Sequence, residues 1–233
     1  IINDENKRKK LIIYINPPYA EGDNVRGIGR RNVHVSKVHD KYQNELKKAS
    51  SEMFAQFFVR VYREIYGCVL AEFSTLKILQ APNFLNFRLF FQAKLEKFFL
   101  VPANTFDNVK GEFPIGFFIW NTSKKEIFEN SIADVYDAKA NLIRTKEIYT
   151  NDNSKYISDW LEENSKNISK SYIGHLASVG NDFQNQRMVF IDDVNTKKKK
   201  GGRHTMISTE NLQVVSIYYA VRHCIEATWL NDR

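Results

Sequence analysis

Cysteine is almost missing from this sequence of 233 residues, which holds two, Cys68 and Cys224. Each lies in an apolar periodic segment, so both are expected to be small buried hydrophobes. That excludes a disulfide framework and a zinc site and fits a reducing, cytoplasmic compartment. Long apolar runs are missing too. No stretch approaches the ~18 consecutive apolar residues of a membrane span, and the opening IINDENKRKK lacks the apolar region of a secretory signal. The five histidines, His34, His39, His175, His204 and His223, stand without ligand spacing, so none is assigned a metal. Nor does any internal repeat appear, which excludes a solenoid.

What is present begins with 43% hydrophobic residues, ample for a packed core. Lys and Arg outnumber Asp and Glu by 34 to 27, a net charge of +7. Such an excess suits contact with a polyanion if it gathers on one face.

Along the chain, LIIYI at 11–15 is a short β-branched and aromatic run expected to form a buried strand of parallel type, ended by Pro17. Residues 20–36 hold three glycines and three arginines without helical period, an exposed loop. Phe54, Phe57, Phe58, Val61, Tyr62 and Ile65 are spaced for a helix over 51–66 that stops at Gly67. CVLAEF at 68–73 predicts a second strand and 84–95 a second helix. KFFLVPANTF at 97–106 and FPIGFFIWN at 113–121 predict two strands joined by a turn-rich link, hence antiparallel neighbours. Beyond them, 133–138 and 141–149 look like another hairpin, 155–163 a short helix, 188–194 an apolar island in a polar stretch, and 208–229 a last long helix.

The stretch IIYINPPY at 12–19 carries the chemistry. A strand that ends in an amide, two prolines and an aromatic ring places Asn16, Pro17, Pro18 and Tyr19 where open α/β sheets put their sites. An amide oxygen beside a carbonyl held by a rigid proline can accept hydrogen bonds from a planar amine and draw its nitrogen towards tetrahedral geometry. An ordinary strand-ending turn would need none of this, yet Asn-Pro also suits turns.

YINPPYAE resembles the (N/D/S)PP(Y/F) motif of S-adenosylmethionine-dependent amino-methyltransferases, particularly N6-adenine DNA methyltransferases of restriction-modification systems. FFLVPANTFDNVKGEFPIGFFIW resembles that family's late hairpin, in which a strand ends near an aromatic and the next strand returns through the sheet. The likeness spans about residues 11–121. It implies that Asn16 and the Pro17 carbonyl hold the target amine, that Tyr19 stacks on an extruded adenine, and that Phe106 touches the base from the other side. It also implies S-adenosylmethionine as cofactor, double-stranded DNA as partner, and Asn16 as a partial cofactor contact.

The sequence departs from the family at its start. The glycine loop and acidic strand end that hold the cofactor precede the motif in such enzymes, whereas 15 residues precede Asn16 here. Gly27-Ile28-Gly29 follows no predicted strand. The chain is therefore expected to be an inactive fragment whose cofactor motif comes from the remainder of the polypeptide or from a partner subunit.

Arg26, Arg30 and Arg31, just past the motif, and Lys110 in the hairpin link are candidates for contact with DNA. Lys197, Lys198, Lys199, Lys200 and Arg203 either track phosphates or form a solvated loop. Glu72 and Asp107 end strands or turns and suit a satisfied polar role. The expected fold is α/β, the C-terminal half of a Rossmann-like methyltransferase sheet ending in an antiparallel hairpin over residues 1–125, with an appended mixed α+β lobe over 126–233. An RNA base or a protein glutamine is the alternative acceptor, and a non-catalytic DNA-binding or assembly fragment is the alternative of another class.

Overall fold

A computed structural model of the chain describes residues 2–18, 37–107, 109, 111, 113–150, 156–165, 172–180, 183, 185–193 and 203–231. Two compact units divide it, Ile1–Asp152 and Asn153–Arg233.

The first unit is built on one mixed sheet. Its strands are β1 (Ile12–Ile15), β2 (Val69–Thr75), β3 (Ala93–Pro102), β4 (Pro114–Lys125), β5 (Asn130–Tyr136) and β6 (Leu142–Tyr149), in the order β1-β2-β4-β3-β5-β6. β1 runs parallel to β2, and β4 runs antiparallel to both β2 and β3. The return strand of the 93–125 hairpin thus threads between β2 and its own partner β3. β5 lies parallel to β3 and antiparallel to β6. The expectation of α/β architecture holds, and β3 and β4 are the antiparallel neighbours expected at 97–106 and 113–121, so the sheet as a whole is mixed.

The helices α1 (Glu5–Arg8), α2 (Lys37–Leu46), α3 (Met53–Glu64), α4 (Lys77–Gln80) and α5 (Leu85–Phe90) fill the connections. Phe54, Phe58, Val61 and Tyr62 recur along α3 at the spacing of one buried stripe. Beyond its end the chain turns at Gly67, whose φ of +100° suits a residue without a side chain. The stripe meets α5 through Phe58 and Phe87, and Phe91 carries the contact on to Trp120 of β4, with centroids 5.2 Å apart. Trp120 in turn neighbours Phe118, which stacks on Phe98 of β3. This aromatic core covers one face of the sheet. The opposite face carries Tyr14, Phe73, Phe117 and Phe99, packed ring against ring.

Several expectations shift. LIIYI is a strand, yet it is the terminal strand of the described sheet, and Ile12 and Tyr14 are 68% and 63% exposed rather than buried. The helix expected over 84–95 stops at Phe90, because Lys94 and Leu95 pair with Asn121 and Trp120 of β4. β5 and β6 are joined to β3 and so belong to the first unit, which runs past the boundary expected at residue 125 to Asp152.

The second unit holds a three-stranded antiparallel sheet, β7 (Tyr172–Ser178), β8 (Val189–Asp192) and β9 (Arg203–Ser208), ordered β8-β7-β9, with α6 (Ile157–Asn164) and α7 (Leu212–Arg222). Its core gathers Leu161, Leu176, Val189, Ile207, Val215 and Tyr218. The last helix is far shorter than the pattern over 208–229 suggested. It ends at Arg222, and the Ile225 carbonyl is met by the Gln186 side chain instead of by a further helical turn. Cys224 is consequently exposed, against expectation, while Cys68 is buried; both thiols are free. Among the described residues no helix is long and apolar enough to cross a membrane.

Candidate functional site

β1 ends at Ile15 because Pro17 has no N–H to continue a ladder. Asn16 and Pro18 are exposed and Pro17 is buried between them, so the amide stands beside an anchored proline. Tyr19 lies outside the described residues.

The register places this loop. Ile15 pairs with Glu72, three residues from the end of β2, so Asn16–Pro18 leave the sheet beside Ser74 and Thr75. β2 and β3 each pair antiparallel with β4, and so run in the same direction as β1. The carboxyl ends of all three therefore share one end of the sheet. From the end of β3 the chain makes a short turn over Ala103–Thr105, in which the Phe106 N–H donates to the Ala103 carbonyl at 3.1 Å.

Phe106 is half-buried in a cluster built on Val101, Ala103 and Ile115. Its ring meets Phe73 edge to face with centroids 5.2 Å apart, and Phe73 meets Tyr14 at 6.4 Å. Asn16 and Phe106, 90 positions apart in the chain, thereby stand at the same end of the sheet, and the ring chain from Phe106 through Phe73 reaches Tyr14, two residues before Asn16. An exposed amide beside a carbonyl-bearing proline turn, with an aromatic cluster nearby, can grip a planar amine by its hydrogens and its ring by stacking.

The basic candidates divide. Arg26, Arg30, Arg31, Lys110, Lys197, Lys198, Lys199 and Lys200 lie outside the described residues. Arg203, at the start of β9, donates to the Ser158 carbonyl at 2.7 Å and sits 3.6 Å from carboxylate oxygens of Asp159 and Glu162. Its charge is matched within its own unit by α6.

Glu72 does not face the loop's aromatic side. It pairs with Phe118, on the helix-covered face, and is fully buried. The Trp120 indole N–H donates to Oε1 at 3.0 Å and the Ser74 hydroxyl to the same oxygen at 3.4 Å. Oε2 has no hydrogen-bond partner among the described residues, so the satisfied polar role expected of this side chain is only half met. Burial pushes its carboxyl up to about 8, against the opposing pull of the two hydrogen bonds. The signal was a lone acidic residue in the apolar run CVLAEF. Sequence reasoning missed a second buried polar group, in the other unit, where the Arg222 guanidinium donates to the Tyr218 hydroxyl at 2.9 Å and to Ser178 Oγ at 3.2 Å.

A shallow concavity lined by Leu95, Glu126, Phe128 and Glu129 lies at the start of β3 and the end of β4, the far end of the sheet from Asn16. It adds nothing to the site. Among the described residues no group of three His, Cys, Asp or Glu side chains is placed to hold a metal. Compared with models of protein families and with curated proteins, the chain matches none.

Proposed function

We propose that residues 1–125 carry the acceptor half of an S-adenosylmethionine-dependent N6-adenine DNA methyltransferase. The observation that carries this reading is the placement of Asn16–Pro18 and Phe106 at one end of the sheet, past the carboxyl ends of β1 and β3, with β4 returning between β2 and β3. That return is the arrangement implied by the likeness to the late hairpin.

In this reading the Asn16 side-chain oxygen and the Pro17 carbonyl accept the two hydrogens of the adenine amine. Doing so withdraws the nitrogen lone pair from the ring and turns it towards its electrophile. Tyr19 stacks on one face of the extruded base and Phe106 closes on the other, offsetting part of the unpairing cost. Arg26, Arg30 and Arg31, just past the loop in the chain, hold the backbone.

The methyl donor does not fit the described residues. The parallel strands β1 and β2 run on into Asn16-Pro17 and Leu76-Lys77, without the glycine turn that would admit a nucleoside, so Asn16 stands alone as a cofactor contact. The donor pocket is assigned to other residues of the polypeptide or to a partner.

The test is methyl transfer from labelled S-adenosylmethionine to adenine-containing duplex DNA by the full gene product. Transfer is expected, and Asn16→Ala should reduce it by about 10²-fold or more. A product that binds DNA and transfers nothing, or one indifferent to Asn16→Ala, defeats the proposal.

A further inference from the structure

Glu72 lies where β1, β2 and β4 join, across from Ile15, the residue that leads into Asn16. Apolar side chains surround it. Ile13 and Ile15 of β1, Leu70 of β2 and Phe118 of β4 share its face of the sheet, and Trp120 and Ser74 supply its two hydrogen bonds, both to Oε1.

The ionisable groups of the covering layer are engaged elsewhere. Lys77 pairs with Glu52 at 2.8 Å, Arg88 donates to the Ala81 carbonyl at 3.0 Å, and His39 faces the Ser50 carbonyl at 3.0 Å. Tyr42 lies against Phe90 and under Lys41, Tyr62 bonds the backbone at Gln92, and the Cys68 thiol lies against the Thr122 hydroxyl. None of these supplies a cation to Glu72. A carboxylate here would hold a full charge with one oxygen uncompensated, a costly state in an apolar interior.

We infer that Glu72 is a proton-operated fastening for the Asn16–Pro18 loop. Protonated, it stays beside the indole, and β1 keeps its pairing with β2 up to Ile15. When the proton leaves to solvent, the bare carboxylate draws water into the joint and frees the carboxyl end of β1. The rise in its pKa to about 8 agrees with that geometry. The inference rests on the methyltransferase reading only for what the loosened loop would do to catalysis.

The experiment follows the Trp120 indole N–H by nuclear magnetic resonance, its signal identified by loss in Trp120→Phe, together with hydrogen exchange of β1 amides. Between about pH 6 and about 9.5, the wild-type indole signal should move with one midpoint near the raised pKa, and β1 exchange should accelerate beyond the ordinary base-catalysed trend at that midpoint. Glu72→Gln, neutral at every pH, should hold both steady. A wild-type signal that stays put, one that moves equally in Glu72→Gln, or one that moves while β1 exchange does not, overturns the inference. Should Glu72→Gln fail to fold, the infrared carbonyl band of a buried neutral carboxyl in the wild type decides: its loss with the same midpoint supports the fastening and its absence at low pH overturns it. None of these readouts involves methyl transfer, so a failure of the transfer assay leaves them standing.

Discussion

Buried in an apolar joint, Glu72 holds a proton in the folded chain that the unfolded chain releases. Its pKa rises from 4.5 to about 8 on folding. Its contribution to stability is therefore complete below the unfolded pKa and is lost as pH rises through the folded one. Unfolding by urea at several pH values should show wild-type stability falling by a few kcal/mol across that window, and Glu72→Gln should flatten the decline. Gly116 is constrained differently. A Cβ at this position would stand 2.3 Å from the Phe118 ring, which is held between Phe98 and Trp120 and cannot step aside. Gly116→Ala should cost roughly 1–3 kcal/mol in the same measurement. At this scale the sequence was informative wherever a residue stood out from its run, as Asn16 and the prolines did after an apolar strand. It was silent on which oxygen of Glu72 would be left unpaired, since that depends on where the Trp120 indole comes to rest.

Among the elements, strands rich in β-branched and aromatic residues were legible and their edges were not. The helix over 51–66 appears as Met53–Glu64 because its apolar stripe has a sheet and α5 to pack against. The residues after Phe90 look equally helical, but pairing with β4 claims them for β3. β7 escaped notice because YIGHLAS has a glycine and a serine where β-branched residues would be expected; its last five residues are buried all the same, flanked by β8 and β9. The link between β5 and β6 is also set by one side chain. Asp137 accepts the backbone N–H groups of Lys139 and Asn141 at 2.8 and 2.9 Å, and the Asn141 amide holds its carboxyl below the usual range. Asp137→Ala should speed amide exchange at Asn141 and along the β5–β6 pair, and acid should weaken the wild-type turn in the same way, as its carboxylate gains a proton.

On the scale of the molecule, each unit has its own core, so damage to one core should register first in its own unit. Leu176→Ala, at a fully buried site in the second unit, should cost about 2–5 kcal/mol there, seen as lost amide protection in β7, β8 and β9 while α3 and β2 stay protected. The division into units was only partly legible, because the likeness to the late hairpin ends near residue 121 whereas hydrogen bonding carries the sheet on to β6. The position of β4 also has a consequence for the order of folding. β2 and β3 are consecutive strands, but the gap between them is filled by a strand made after both, so a nascent chain must hold two separate sheet edges open until residues 114–125 emerge from the ribosome. Until then neither edge has its final neighbour. This is the interval in which the apolar runs VLAEF and FFLV are open to pairing with another chain, and in which slow synthesis before Pro114 would favour aggregation over folding.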